Sequence, residues 1–289
     1  MDNRAQIMTS VPVSRNRFFR KSLIIPTEHG SWSWLLVPFF VGAGVASLTG
    51  AGNGPILLPV VLTLVGGLCA FLIRQPATAW LRIRRGRASR ADEPLAAGWT
   101  LGLALVAASC LAGLLALDRA ALLWLVIPFA AVLLLYLIAA RSGRATMRAL
   151  QTELVGAVGL ALMAPAAVIA VTGSLNALAW ALWGLMAVQN GLGVLYVRLR
   201  LADTHRRPAN RAAVIAGHGA GLAAVVVAGL LGHIPLLAAA PYVAVLLRAV
   251  WAVRQARPVP NVRRFGFTEV GVEALSGAWI IASYWLWPG

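Results

Sequence analysis

The chain has 289 residues, 60% of them hydrophobic and 12% charged, with mean hydropathy +0.79 and a formal net charge of +16. A soluble domain carries roughly twice that charged fraction, so a soluble globular protein is excluded. The basic excess does not imply nucleic acid, because the arginines flank lipid-compatible runs and each is worth about 1 kcal/mol against anionic headgroups.

Residues 1–27 read as a basic tail, without the short apolar core and small-residue cleavage site of a signal peptide. Residues 28–289 read as one transmembrane domain. Nine apolar runs lie near 31–50, 56–74, 97–117, 121–140, 153–172, 176–197, 212–231, 234–253 and 268–287. Each is about long enough to cross a bilayer as a helix. The expected fold is therefore all-α, a polytopic membrane bundle of about nine helices.

Charge sets the orientation. Of the 25 basic residues only Arg119 falls on one side of this plan, and of the nine acidic residues only Asp118 does. Basic loops stay in the cytoplasm, which places the N-terminus inside and the C-terminus outside a bacterial inner membrane. The inside connections run from Arg74 to Glu93, Arg141 to Arg148, Arg198 to Arg211 and Arg254 to Arg264, whereas those outside are minimal. Short outside connections force antiparallel hairpins. Pro38, Pro128 and Pro165 interrupt their runs and predict kinks. Trp32, Trp34, Trp279, Trp285 and Trp287 read as interfacial aromatics. Trp80-Leu81-Arg82-Ile83-Arg84 and Tyr196-Val197-Arg198-Leu199-Arg200 echo each other four spans apart, which would suit two related halves plus a ninth helix, although arginines cluster at cytoplasmic helix ends in any case.

The residues able to carry chemistry gather at the arginine end. Pro26-Thr27-Glu28-His29-Gly30-Ser31-Trp32 opens the first span; its Glu28 and His29 offer a carboxylate beside a group titrating near neutrality. Read structurally, the same string is an N-cap, with Thr27 capping and Glu28 answering the helix dipole. Glu153 opens the fifth span, and Glu269 and Glu273 share one face of the ninth. An ionised carboxylate in hydrocarbon costs at least about 2.5 kcal/mol, so Glu273, the deepest, must face a cavity or a partner. The same argument turns Gln189 and Asn190 inward. Arg74, Arg82 and Arg198, with Asp203 nearby, suit a phosphate or carboxylate held by planar guanidinium groups. Ion pairing among these acids and arginines is the competing structural reading. Cys69 and Cys110 stand alone in apolar runs, so no thiolate metal site is indicated, and no cofactor is assigned.

The string Ile25-Pro26-Thr27-Glu28-His29-Gly30-Ser31-Trp32 with Leu35-Leu36-Val37-Pro38-Phe39, Arg74-Gln75-Pro76 and Arg264-Phe265-Gly266-Phe267-Thr268-Glu269 resemble the YwiC-like family of bacterial membrane proteins. That resemblance implies no particular activity. The nine-helix plan, with its loops after the second and sixth spans, is also similar to the UbiA-type prenyltransferases. Those enzymes hold Mg²⁺ and a prenyl diphosphate on Asp-rich motifs at these loops. Here only Asp92 and Glu93 stand in the first loop and only Asp203 in the second, with arginines in the aspartates' place. An anion held directly by arginine is the expectation that follows.

Three functions remain open on these residues. The first is a UbiA-like bundle whose cytoplasm-facing cavity binds an amphipathic anionic lipid, quinone or isoprenoid, with Glu28, His29 and Glu273 in catalytic roles. Arg74, Arg82, Glu153, Gln189, Asn190, Arg198, Asp203 and Glu269 would bind that substrate. The second is a respiratory accessory protein with His29 and His218 as haem ligands. The third is a transporter with a helix broken at Pro38 or Pro165.

Overall fold

The structure, a computed structural model, describes residues 29–49, 56–142 and 149–287. Among them the chain is helical and contains no strand. In order the helices are α1 (His29–Leu48), α2 (Leu57–Arg84), α3 (Glu93–Ala116), α4 (Leu123–Ser142), α5 (Leu150–Leu160) and α6 (Met163–Thr172). There follow α7 (Ala177–Thr204), α8 (Arg211–Leu230), α9 (Ala240–Gln255) and α10 (Val262–Trp285). With α5 and α6 taken as one broken segment, nine of these segments are long and apolar enough to span a membrane.

The break between α5 and α6 falls where elementary chemistry puts it. Pro165 has no N–H, and its ring collides with the carbonyl four residues back, that of Ala161. The helix yields at Ala161 and Leu162, and Ala164 N–H donates to Ala161 O at 3.0 Å, a three-residue turn. Pro38 and Pro128 stay inside continuous helices. Gly173 ends α6 at φ +79°, the left-handed cap that favours glycine. Arg119, the one basic residue at the far end, donates from Nε to Ala170 O at 2.9 Å and from Nη1 to Leu117 O at 2.9 Å. Its charge answers the carbonyl end of α6.

The helices outrun their apolar cores. Both α2 and α7 have 28 residues, about 42 Å of helix against a hydrocarbon thickness of about 30 Å. The expected connection from Arg74 to Glu93 is therefore largely helix, with Pro76 buried inside α2, and Arg198 and Arg200 ride on α7 rather than in a loop. Arginine, leucine and alanine are good helix formers, so hydropathy marks the edge of the bilayer and not the end of the helix. At α10 the start moves in from 268 to 262 because the Asn261 carboxamide accepts from Arg264 N at 2.9 Å.

Every residue from Met163 to Val171 is buried, so the broken segment is the core of the bundle. Helix α1 lies beside it. A Cβ on Gly42 would stand 2.3 Å from Ala164 O, and one on Gly277 of α10 would stand 2.7 Å from Val37 Cγ1. Small residues bring α6, α1 and α10 into contact in that order. On the other flank α2 packs with α3, α4 and α6; beyond α7 come α8 and α9.

Candidate functional site

One face of α7 carries Gln189, Gly193, Tyr196 and Arg200, spaced i, i+4, i+7 and i+11. Glu269 and Glu273 face it from α10, with Ser33 and Trp34 of α1 closing the deep end. At that end Asn190 Nδ2 donates to Trp34 O at 3.0 Å and to Ala157 O of α5 at 2.9 Å. Gln189 Nε2 donates to Glu273 O at 3.4 Å. The two amides satisfy backbone carbonyls of three helices and so hold the bundle together at this level.

Glu273 is 8% exposed, and its carboxyl meets the side chains of Ser33 and Trp34. Gly193 makes the room: a Cβ there would stand 3.3 Å from Trp34 Nε1 and 3.4 Å from Glu273 Oε1. The second carboxyl oxygen, Oε2, is buried without a hydrogen-bond partner.

One turn nearer the arginine end, Glu269 is held by both arms of Arg248 of α9, at 3.1 and 2.9 Å. The Arg248 guanidinium lies over the Tyr196 ring, 4.0 Å from its centroid, and Phe265 flanks the same ring at 6.2 Å. Arg200 completes the group within electrostatic reach of Glu269 and Tyr196. Arg200 Nε and Nη1, and Arg248 Nε, are buried and lack partners. Each such orphan costs about 1–3 kcal/mol or more when charged, so two arginines converging on one face is a costly arrangement.

The site residues expected from the sequence divide. Glu28 lies outside the described residues, as does the side chain of His29, whose backbone opens α1; the tail 1–27 lies outside them too. Gln189, Asn190, Glu269 and Glu273 meet in the polar centre. Glu153 and Arg198 pair with each other at 2.7 Å, and Asp203, almost wholly buried, pairs with Arg211. Arg82 sits half-buried on the extension of α2. Arg74 is elsewhere: it lies 4.8 Å from the Tyr136 ring centroid, and the Tyr136 hydroxyl packs on Gly156. Helix α5 packs against both α4, which carries Tyr136, and α7, which carries Asn190, and so stands between Arg74 and the polar centre. Arg74 therefore does not join Arg200 and Arg248 at the polar centre.

His218 is completely buried, with Nδ1 2.8 Å from Val214 O and Nε2 without a partner. No cluster of three metal-ligating side chains occurs among the described residues. Arg248 is the member of this polar centre that sequence reasoning misses, although an arginine inside the apolar run 234–253 is itself a signal. Trp34, expected at the interface, instead turns its indole into the bundle toward Glu273.

A helical bundle of nine bilayer-length segments around a buried polar centre is the architecture of an integral, multi-pass membrane protein. The family model described as YwiC-like protein matches residues 25–168, and through that stretch the chain belongs to the YwiC-like family. No curated protein and no solved structure matches it.

Proposed function

We propose that this protein binds the anionic head of an amphipathic molecule, a lipid, quinone or isoprenoid, at the polar centre between α7, α9 and α10. The arginine end faces the cytoplasm in this reading, and the substrate enters as in a UbiA-like bundle. One observation carries it: Arg200 Nε and Nη1 and Arg248 Nε are buried without partners, and both guanidinium groups lie within reach of Glu269, one turn from Glu273. A phosphate or carboxylate would satisfy them, and planar bidentate groups suit that geometry. Glu273, with an oxygen left over, is the acid–base group, and Glu28 and His29, which precede the first span in the sequence, assist it. Glu153, Arg198 and Asp203 shape the mouth through their ion pairs, and Arg82 lines its approach.

Native mass spectrometry of the detergent-purified protein tests this directly. The wild type should retain an anionic amphiphile that Arg200→Gln loses and Arg74→Gln keeps; a set of retained amphiphiles that Arg200→Gln leaves unchanged would overturn the assignment. Complementation of a deletion strain by both Glu28→Ala and His29→Ala would remove those two residues from the site.

A second reading, transport, is favoured by the broken α5–α6 segment at the centre of the bundle, since transporters place substrate at discontinuous helices. Gradient-driven uptake into proteoliposomes would establish it, and none should be seen if the first reading holds.

A further inference from the structure

A separate cavity of about 310 Å³ lies between α2, α3, α4 and α6, on the other side of α5 from the polar centre. Its wall is apolar: Gly66, Ala70, Leu111, Leu125, Phe129 and Met163 are representative. Thr63 is the sole hydroxyl-bearing residue that lines it, and its Oγ1 is buried without a partner. The cavity runs along α2 from Leu62 to Ile73, about 16 Å, roughly half of the hydrocarbon thickness. Ala108, Val126 and Ala130 on its rim are exposed positions, so it opens sideways from the bundle, at the depth of hydrocarbon, rather than toward either end.

Its arginine-side end is marked by charge. Arg74 follows Ile73 directly and continues the lining face of α2, four residues beyond Ala70. Tyr136 continues the face of α4, three residues beyond Leu133. The Arg74 guanidinium lies 4.8 Å from the Tyr136 ring centroid and 5.4 Å from that of Phe71. Stacking of this kind fixes the guanidinium plane, and the planar fork of N–H donors suits a phosphate. Eighteen residues separate Leu57 from Arg74 inclusive, about 27 Å of helix, so Arg74 stands near headgroup depth.

We infer that this cleft is a binding site for a bilayer phospholipid with an anionic head: one acyl chain fills the cavity and the phosphate rests on Arg74. The lateral opening selects a lipid that arrives from the bilayer with its second chain left outside. The volume is at the low end for ligand pockets and fits one chain segment rather than a whole lipid. Leaflet-scale length with the stacked Arg74 guanidinium at one end suits a single acyl chain with a charged head; at the opposite end the Arg119 guanidinium is engaged by Ala170 O and Leu117 O.

The test uses the full chain in detergent, titrated with phosphatidylglycerol or with phosphatidylcholine of the same acyl chains, and counts retained lipid by native mass spectrometry. Wild type should hold one phosphatidylglycerol at least tenfold more tightly than phosphatidylcholine. Arg74→Gln should abolish that preference, and Arg74→Lys should keep most of it. Ala70→Phe, which fills the cavity, should weaken both lipids at least tenfold. Ala107→Phe fills it from α3 and replaces Ala70→Phe if that variant fails to fold. Equal binding of the two lipids by wild type, or retention unchanged by a folded filled-cavity variant, would overturn the proposal. Capture of a prenyl phosphate by a cleft that does not hold phosphatidylglycerol would overturn it as well. Arg200→Gln should leave this binding unchanged.

Discussion

Arg248 and Glu269 form a mostly buried pair, with side chains 23% and 12% exposed. Taking two charges out of water costs several kcal/mol each, and the doubly bonded geometry returns that cost only while both are present. Arg248→Ala or Glu269→Ala should therefore cost about 3 kcal/mol, seen as a lower Tm in detergent. The double change Arg248→Met with Glu269→Leu should cost less than either single change, because Met can replace the stacking on Tyr196 and neither member of the pair is left without the other. The double variant would then be folded with only Arg200 left to hold an anion, so its anion affinity should fall while its stability is largely kept, which separates stability from binding. At this scale the sequence is informative about residue type and silent about partners. Glu269 and Glu273 share a face by spacing alone, but which of them is neutralised depends on Arg248, which comes from a different helix.

Close approach, rather than hydrophobicity, determines how the helices sit. Gly42→Ala would push a methyl into the Ala164 carbonyl, a backbone atom that cannot swing away, and should cost at least about 2 kcal/mol. Gly271 of α10 has open space within 4 Å of where a Cβ would stand, so Gly271→Ala should raise stability by about 0.5–1 kcal/mol through helix propensity. Thermal unfolding of the two variants side by side gives opposite signs if the packing is as described. Asn261→Ala removes the cap of α10 and should cost about 1 kcal/mol in the same measurement. The existence of each helix is legible from its apolar run. Its ends are not: residues 75–84 of α2 and 262–267 of α10 lie beyond the predicted limits, because polar helix continues wherever propensity and capping allow.

For the whole molecule the charge asymmetry makes a topological prediction. In a background lacking Cys69 and Cys110, Arg257→Cys should react with a membrane-impermeant maleimide only after the cells are opened. His233→Cys should react in intact cells. The reverse labelling would invert the bundle and place the polar centre's mouth outside. Both native cysteines are free, so replacing them by alanine breaks no disulfide and should leave the protein folded.

Chain composition alone determined the solvent: 60% hydrophobic residues in bilayer-length runs cannot be hidden in a small soluble core. It also determined which end is basic, since the positions of arginines relative to apolar runs are a one-dimensional property. Pro165 marked the break in the fifth span for the same local reason. Only the tertiary structure decided that this broken segment is the buried centre, that α5 divides Arg74 from Arg200, and that Arg248 claims Glu269 and leaves Glu273 with a free oxygen. Those are relations between helices distant in sequence, set by which glycines permit contact, and no periodicity within a single helix encodes them.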